Sequence, residues 1–96
     1  MDVLVAYDVA TDTPEGRRRL RKVAQVCVSF GQRVQKSVFE CTVNEMQYEK
    51  LRARLLKTIQ KEEDSLRLYR LAQPKEQFIE TYGVDHYIDF EAPLVA

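Results

Sequence analysis

The chain begins with an apolar run, Val3-Leu4-Val5-Ala6-Tyr7, that stops on the carboxylate of Asp8. So short a run, rich in β-branched residues, predicts a central strand covered on both faces. A polar turn follows, and Thr13-Pro14-Glu15 carries the marks of a helix start: a capping hydroxyl, a proline suited to the first turn and an acid at the positive end of the dipole. Leu20, Val23, Ala24, Cys27 and Val28 then recur at helical spacing on one face. The helix is expected to run from Pro14 to about Phe30 and to stop at Gly31 in a left-handed terminal conformation.

From Gln32 to Val43 the sequence is β-prone throughout, with Val, Phe and Thr alternating with polar residues. It is long for one strand, and periodicity leaves open whether it bends or doubles back at Lys36-Ser37. Asn44 and Gln47 form a capping-box pattern ahead of Tyr48, Leu51, Leu55 and Ile59, a second amphipathic helix. Glu62-Glu63-Asp64 reads as a solvated acidic turn, and Ser65–Leu71 as another strand, broken by Gln73-Pro74-Lys75. Residues 77–82 are expected to form a weaker β segment ending at Gly83, and His86–Phe90 a short strand before the tail.

Composition narrows the picture little. The 96 residues predict one domain, with 15 basic and 15 acidic residues in balance. Charge distribution is more telling: residues 1–43 hold seven basic against five acidic groups, and residues 44–96 eight against ten. Arg17, Arg18, Arg19, Arg21 and Lys22 crowd the start of the first helix, where like charges repel and the dipole disfavours cations. Such a face is either simply solvated or kept for an anionic partner. Cys27 and Cys41 lack CxxC spacing and fall in apolar patterns, which predicts two reduced, buried thiols. No stretch approaches the roughly 20 apolar residues of a membrane helix, so a soluble cytoplasmic protein without membrane partners is expected. Asp8 either caps the turn after its strand or acts as a functional acid, and the lone His86 is expected to be an ordinary exposed or hydrogen-bonded imidazole.

Tyr7-Asp8 closing the first strand and Gln35-Lys36-Ser37-Val38-Phe39, at this chain length, resemble the CRISPR-associated Cas-two family of the spacer-acquisition machinery. The resemblance extends to the late strand Leu66-Arg67-Leu68-Tyr69-Arg70-Leu71. It implies an α+β, ferredoxin-like βαββαβ sandwich over residues 1–96, packed sheet to sheet as a homodimer, with a C-terminal strand and tail in 84–96 contacting the partner. It also implies a metal-dependent endonuclease acting on duplex DNA or single-stranded RNA in antiviral defence, and a dimeric component of an integration complex with the Cas-one integrase. Carried over by position, Asp8 matches the metal-binding aspartate and Tyr7 the tyrosine before it. Arg17 and Arg19 match basic residues of the first helix, and Arg33, Ser37 and Phe39 match the second motif.

The expected site thus comprises Asp8, Tyr7 and Ser37 as catalytic residues and Arg17, Arg18, Arg19 and Arg33 as phosphate contacts. Phe39 would serve as a core or interface residue, with base stacking as the alternative. One carboxylate is half of a metal site, so the expectation is one Mg2+, or Mn2+ in its place, shared by two Asp8 side chains across a two-fold axis. The competing expectation is a non-catalytic DNA-binding scaffold for the Cas-one integrase. A small toxin-like ribonuclease of related fold fits the composition but accounts less well for the Gln-x-Ser-Val-Phe segment.

Overall fold

Neighbouring positions of the first strand, β1 (Asp2–Asp8), meet different fates. Val3, Val5 and Tyr7 are buried, Asp2, Leu4 and Ala6 are half-buried, and Asp8 is exposed. The structure, a computed structural model, describes residues 1–84. In it β1 pairs antiparallel on one side with β3 (Val38–Thr42) and on the other with β4 (Ser65–Arg70). A further strand, β2 (Gly31–Gln35), flanks β3, giving a four-stranded sheet of order β2-β3-β1-β4. The central position expected for β1 is therefore observed, but its cover is unequal. Two helices bury one face of the sheet completely and leave the other half-covered, so alternation replaces the expected burial on both sides.

The helices are α1 (Pro14–Val28) and α2 (Glu45–Thr58), and the element order is β-α-β-β-α-β, as expected. Val3, Val5, Val23, Cys27, Phe39, Cys41, Leu51 and Leu55 are the largest fully buried side chains and form the core between sheet and helices. The thiols of Cys27 and Cys41 are both free and buried, and loss of solvation pushes them up to about 12 and about 11. At the start of α2, Asn44 accepts from the Gln47 amide at 2.8 Å while the Gln47 side chain accepts from the Asn44 amide at 2.9 Å. Asn44→Ala is expected to cost about 1 kcal/mol, read as a lowered midpoint in thermal circular dichroism.

Several expectations need correction. Helix α1 ends at Val28, which is 62 % exposed, and Phe30 turns back to pack on the core in its place. Gly31 does not take a left-handed conformation; among the described residues only Gly83 has positive φ. Gly31 is needed for a different reason: a Cβ there would run into the Glu40 carbonyl and Cys41 of the adjoining strand. The 32–43 segment doubles back at Lys36-Ser37 as the β2–β3 hairpin, with an irregularity between Arg33 and Gln35. Residues 77–82 are not a strand. Lys75–Gln77 forms a 3-10 turn, and the amides of Gln77, Phe78 and Ile79 are satisfied locally by Pro74 and Lys75 carbonyls, leaving no run of free donors for a sheet. The strand expected at His86–Phe90, and all but the first residue of the 84–96 tail, lie outside the described residues. No helix among the described residues is long and apolar enough to cross a membrane.

Candidate active site

Asp8 is the last residue of β1, with β3 on one side of its strand and β4 on the other. Its register partner in β4 is Ser65. On the opposite flank the Tyr7 amide donates to the Ser37 carbonyl at 3.1 Å, which draws the β2–β3 turn against this end of the sheet. By the pleat, Asp8 shares a face with Leu4 and Ala6, the face the helices leave open. Ala6 is opposite Arg67 and Leu4 opposite Tyr69, so these two β4 residues stand on that face as well.

The loop leaving Asp8 is fixed at several points. Its Ala10 carbonyl packs so closely on buried Gly16 that any Cβ at Gly16 would collide with it. Thr13 Oγ1 accepts from the Gly16 amide at 3.0 Å, capping α1, and Arg17 donates to the Thr11 carbonyl at 3.2 Å. The Ala10 amide donates to Asp64 Oδ1 at 3.1 Å. Asp64 is the hub of this end of the molecule. Its wholly buried side chain also accepts from the Gln60 amide at 2.9 Å and from Arg19 Nε at 2.9 Å. Arg19 reaches Glu63 as well, at 3.0 Å. Burial alone would push the Asp64 carboxyl up, but the bonds from Arg19, Gln60 and Ala10 and the Arg19 charge outweigh it and hold it below its ordinary 3.8.

The expected solvated acidic turn is thus corrected at Asp64, where donors from three residues, Ala10, Gln60 and Arg19, converge on a buried carboxylate. The signal was distant in sequence: Arg19 and Asp64 are 45 residues apart, and nothing local pairs them. The expected site residues divide accordingly. Asp8 and Ser37 lie toward one end of the sheet, linked through the Tyr7 amide and the Ser37 carbonyl, whereas the Tyr7 ring points to the other face, buried and stacked on Phe39 with centroids 6.3 Å apart. Tyr7 is therefore a core residue on the side away from the Asp8 carboxylate. Phe39 is fully buried in the core between sheet and helices, the first of the places expected for it. Arg33 lies over the Phe39 ring, 5.0 Å from its centroid. Arg19 is committed to Asp64 and Glu63 and Arg17 to the Thr11 carbonyl, while Arg18 remains largely exposed beside Glu15 at 3.5 Å.

Two surface concavities flank this framework. One, of about 420 Å3, runs between the helices and is lined by Glu15, Arg18, Arg19, Lys22, Lys57 and Gln60. The other, of about 400 Å3, lies over the open sheet face and is lined by Leu4, Val34, Val38, Glu40, Ile79 and Tyr82. Among the described residues no three His, Cys, Asp or Glu side chains converge to enclose a metal ion. The donor chemistry at Asp8 suits Mg2+ in another way, since this ion accepts one or two carboxylates with waters and substrate phosphate oxygens filling the remaining positions. An exposed carboxylate at a rigid strand end meets that requirement; a closed protein cage is not what the ion needs.

Comparison with known proteins bears on these residues. A family model described as CRISPR associated protein Cas2 matches residues 1–78. The chain is 61 % identical over 95 residues to CRISPR-associated endoribonuclease Cas2 1 of Moorella thermoacetica, covering 99 % of each. It is 47 % identical over 95 residues to CRISPR-associated endonuclease Cas2 of Halalkalibacterium halodurans, covering 99 % of each. Among solved structures, that of Streptococcus pyogenes Cas2 at pH 6.5 superimposes with a TM-score of 0.78 at 49 % identity, covering 86 % of this chain and 100 % of that one.

Proposed function

The chain belongs to the CRISPR-associated Cas2 family, and from that premise we propose that it is a metal-dependent endonuclease hydrolysing phosphodiester bonds of duplex DNA or single-stranded RNA. Its working form is a homodimer, and its setting is the spacer integration complex with the Cas-one integrase in antiviral defence. The observation that carries the chemistry is Asp8, an exposed carboxylate at the end of a central strand whose neighbours on both sides are hydrogen-bonded in place. The names of the relatives, endoribonuclease and endonuclease, support hydrolysis and divide on the substrate.

In this reaction a water oxygen forms a bond to phosphorus, the bond from phosphorus to the leaving sugar oxygen breaks, and the proton given up by water ends on that oxygen. Asp8, together with Asp8 of a second copy, is the group that would hold Mg2+, which when bound polarises the phosphate and acidifies a water. The Ser37 turn sits beside it and offers a hydroxyl for hydrogen bonding to phosphate or water. The half-buried apolar positions Leu4, Ala6 and Val38 on the same face support burial against a twin sheet.

The test uses the purified full chain with internally labelled duplex DNA and single-stranded RNA, with Mg2+ or with chelator. Cleavage of at least one substrate is expected, abolished by chelation. Asp8→Asn should lower it at least about 100-fold, since loss of outer-shell support alone costs 10–100-fold at metal sites. An Asp8→Asn protein that cleaves as fast as the parent would refute the hydrolytic reading.

A second reading has its own observation. The groove between α1 and α2 presents Arg18, Lys22 and Lys57 on the helical layer, across the sheet from Asp8, a place suited to gripping a phosphate backbone without chemistry. The scaffold reading expects Asp8→Asn to retain binding that weakens steeply with salt, and Arg18→Gln with Lys22→Gln and Lys57→Gln to flatten that slope.

A further inference from the structure

We infer that Asp64 is a positioning residue for Asp8: its buried carboxylate ties β1 to the start of β4 one step beyond their last backbone pair and so holds Asp8 in place. The inference rests on the hydrolytic reading of Asp8 and deepens it by naming the group that keeps this acid still.

The register of β1 with β4 runs out at Asp8. Its pairing with Ser65 is the last between the two strands, and both residues are exposed. The end of a ladder opens most readily, because nothing beyond it resists separation. Here something does. Asp64, immediately before Ser65, turns its side chain back across the gap, and Oδ1 accepts from the Ala10 amide, two residues past Asp8, at 3.1 Å. The bond spans the two segments as a backbone pair would. On the near side of Asp8 the Tyr7 amide donates to the Ser37 carbonyl at 3.1 Å, so the backbone is pinned just before the acid and just after it. Val9, the one residue between Asp8 and Ala10, is buried, and the Ala10 carbonyl is packed against Gly16.

Asp64 is itself held firmly. Arg19 Nε donates to Oδ2 at 2.9 Å and its Nη2 to Oδ1 at 3.3 Å, a two-point grip that fixes the plane of the carboxylate as well as its place. The Gln60 amide donates to Oδ2 at 2.9 Å, and the Asp64 amide donates to the Gln60 carbonyl at 2.7 Å, so the turn before β4 is locked too. Glu63 already gives Arg19 an acid at the surface, at 3.0 Å, and an ion pair alone does not call for a second one. What Asp64 adds is the Ala10 amide. Arg19 therefore acts through Asp64, on the loop that leaves Asp8, and its guanidinium is spent there and not on phosphate.

The test compares Asp64→Asn, Arg19→Gln, Arg19→Lys, the Asp64→Asn and Arg19→Gln double variant and Asp8→Asn in the full chain, at a temperature where circular dichroism shows each folded. One readout is the Mg2+ concentration for half-maximal cleavage of whichever nucleic acid the parent cleaves, a quantity that does not scale with the folded fraction. The other, taken without metal or nucleic acid, is amide hydrogen exchange at residues 7–10 relative to Val3 and Val5 in the buried part of the same strand. Asp64→Asn should raise the half-maximal Mg2+ concentration about tenfold, the lower end of the loss when support behind a metal ligand is removed. KM for nucleic acid should stay within about twofold, since no substrate contact is touched. Exchange at residues 7–10 should quicken while Val3 and Val5 keep the parent's rates. Arg19→Gln should share both defects and Arg19→Lys should lie nearer the parent. The double variant should be no worse than the worse single one, because the two residues act as a unit. An unchanged Mg2+ requirement in Asp64→Asn, with Asp8→Asn inactive, overturns the positioning role and leaves the hydrolytic reading standing. Exchange that quickens evenly along β1 overturns it as well, making Asp64 a support of the fold alone. A raised KM in Arg19→Gln that multiplies with the effect of Asp64→Asn returns Arg19 to phosphate and overturns it too. If Asp64→Asn does not fold, the two Arg19 variants decide on the same readouts. Cleavage unaffected by Asp8→Asn removes the hydrolytic reading and the positioning role with it.

Discussion

Asp64→Ala is expected to destabilise the fold by about 3–5 kcal/mol, the cost of removing one partner from a buried, hydrogen-bonded charge pair. The substitution strands the Ala10 and Gln60 amides and leaves Arg19 with Glu63 alone. Each buried donor left unpaired adds to the penalty of the lost ion pair. For a domain of this size the thermal midpoint should fall by at least about 12 °C, read by circular dichroism at matched protein concentration. The pH dependence carries a second signature. Because the folded-state carboxyl sits below its ordinary 3.8, the folded state takes up this proton less readily than the unfolded chain does. The contribution of Asp64 is therefore complete above 3.8 and is lost as pH falls through the lower folded value. Stability of Asp64→Ala should accordingly decline less steeply than that of the parent at the acid end. An equal acid slope in both proteins would show that the carboxylate is not held as described.

Phe39→Ala is the other large effect. The ring is 0 % exposed, packs on Tyr7 and lies beneath the Arg33 guanidinium, so truncation should cost about 3–5 kcal/mol. A base-stacking residue would behave in the opposite way, leaving the melting midpoint in place and weakening nucleic-acid binding by about 1–3 kcal/mol. The expected result is a midpoint lowered by at least about 12 °C with unchanged affinity per folded molecule. A stable Phe39→Ala protein with weakened binding would return the ring to the ligand.

These two residues also mark how far sequence reasoning reaches. Short-range patterns were legible: the Asn44–Gln47 capping box, the Thr13-Pro14 helix start and the apolar β1 run all form as their local chemistry dictates. Each depends on groups a few residues apart, where spacing alone settles geometry. Asp64 was read as solvated because two of its three partners, Ala10 and Arg19, are 54 and 45 residues away and only the closed fold brings them to it. Residues 77–82 failed for a related reason: β propensity without a partner edge makes no strand, and the local turn at Lys75 satisfied the amides first. Of the candidate site, the place of Asp8 at a strand end was readable, but the arginines were not. Density of cations in α1 said nothing of Arg19 turning inward, whereas the alternation in Leu66-Arg67-Leu68-Tyr69 held the signal that two β4 side chains face outward.

The pleat of β1 behaves like a reading frame. Odd-numbered letters from Val3 to Tyr7 answer to the helices and even-numbered ones, ending in Asp8, to whatever meets the far side of the sheet. Replacing a letter alters one contact, but inserting or deleting one transposes every letter after it, turning the acid under the helices and the tyrosine out. Diversification of this strand is accordingly confined to substitution at constant length, with two independent alphabets interleaved along seven residues.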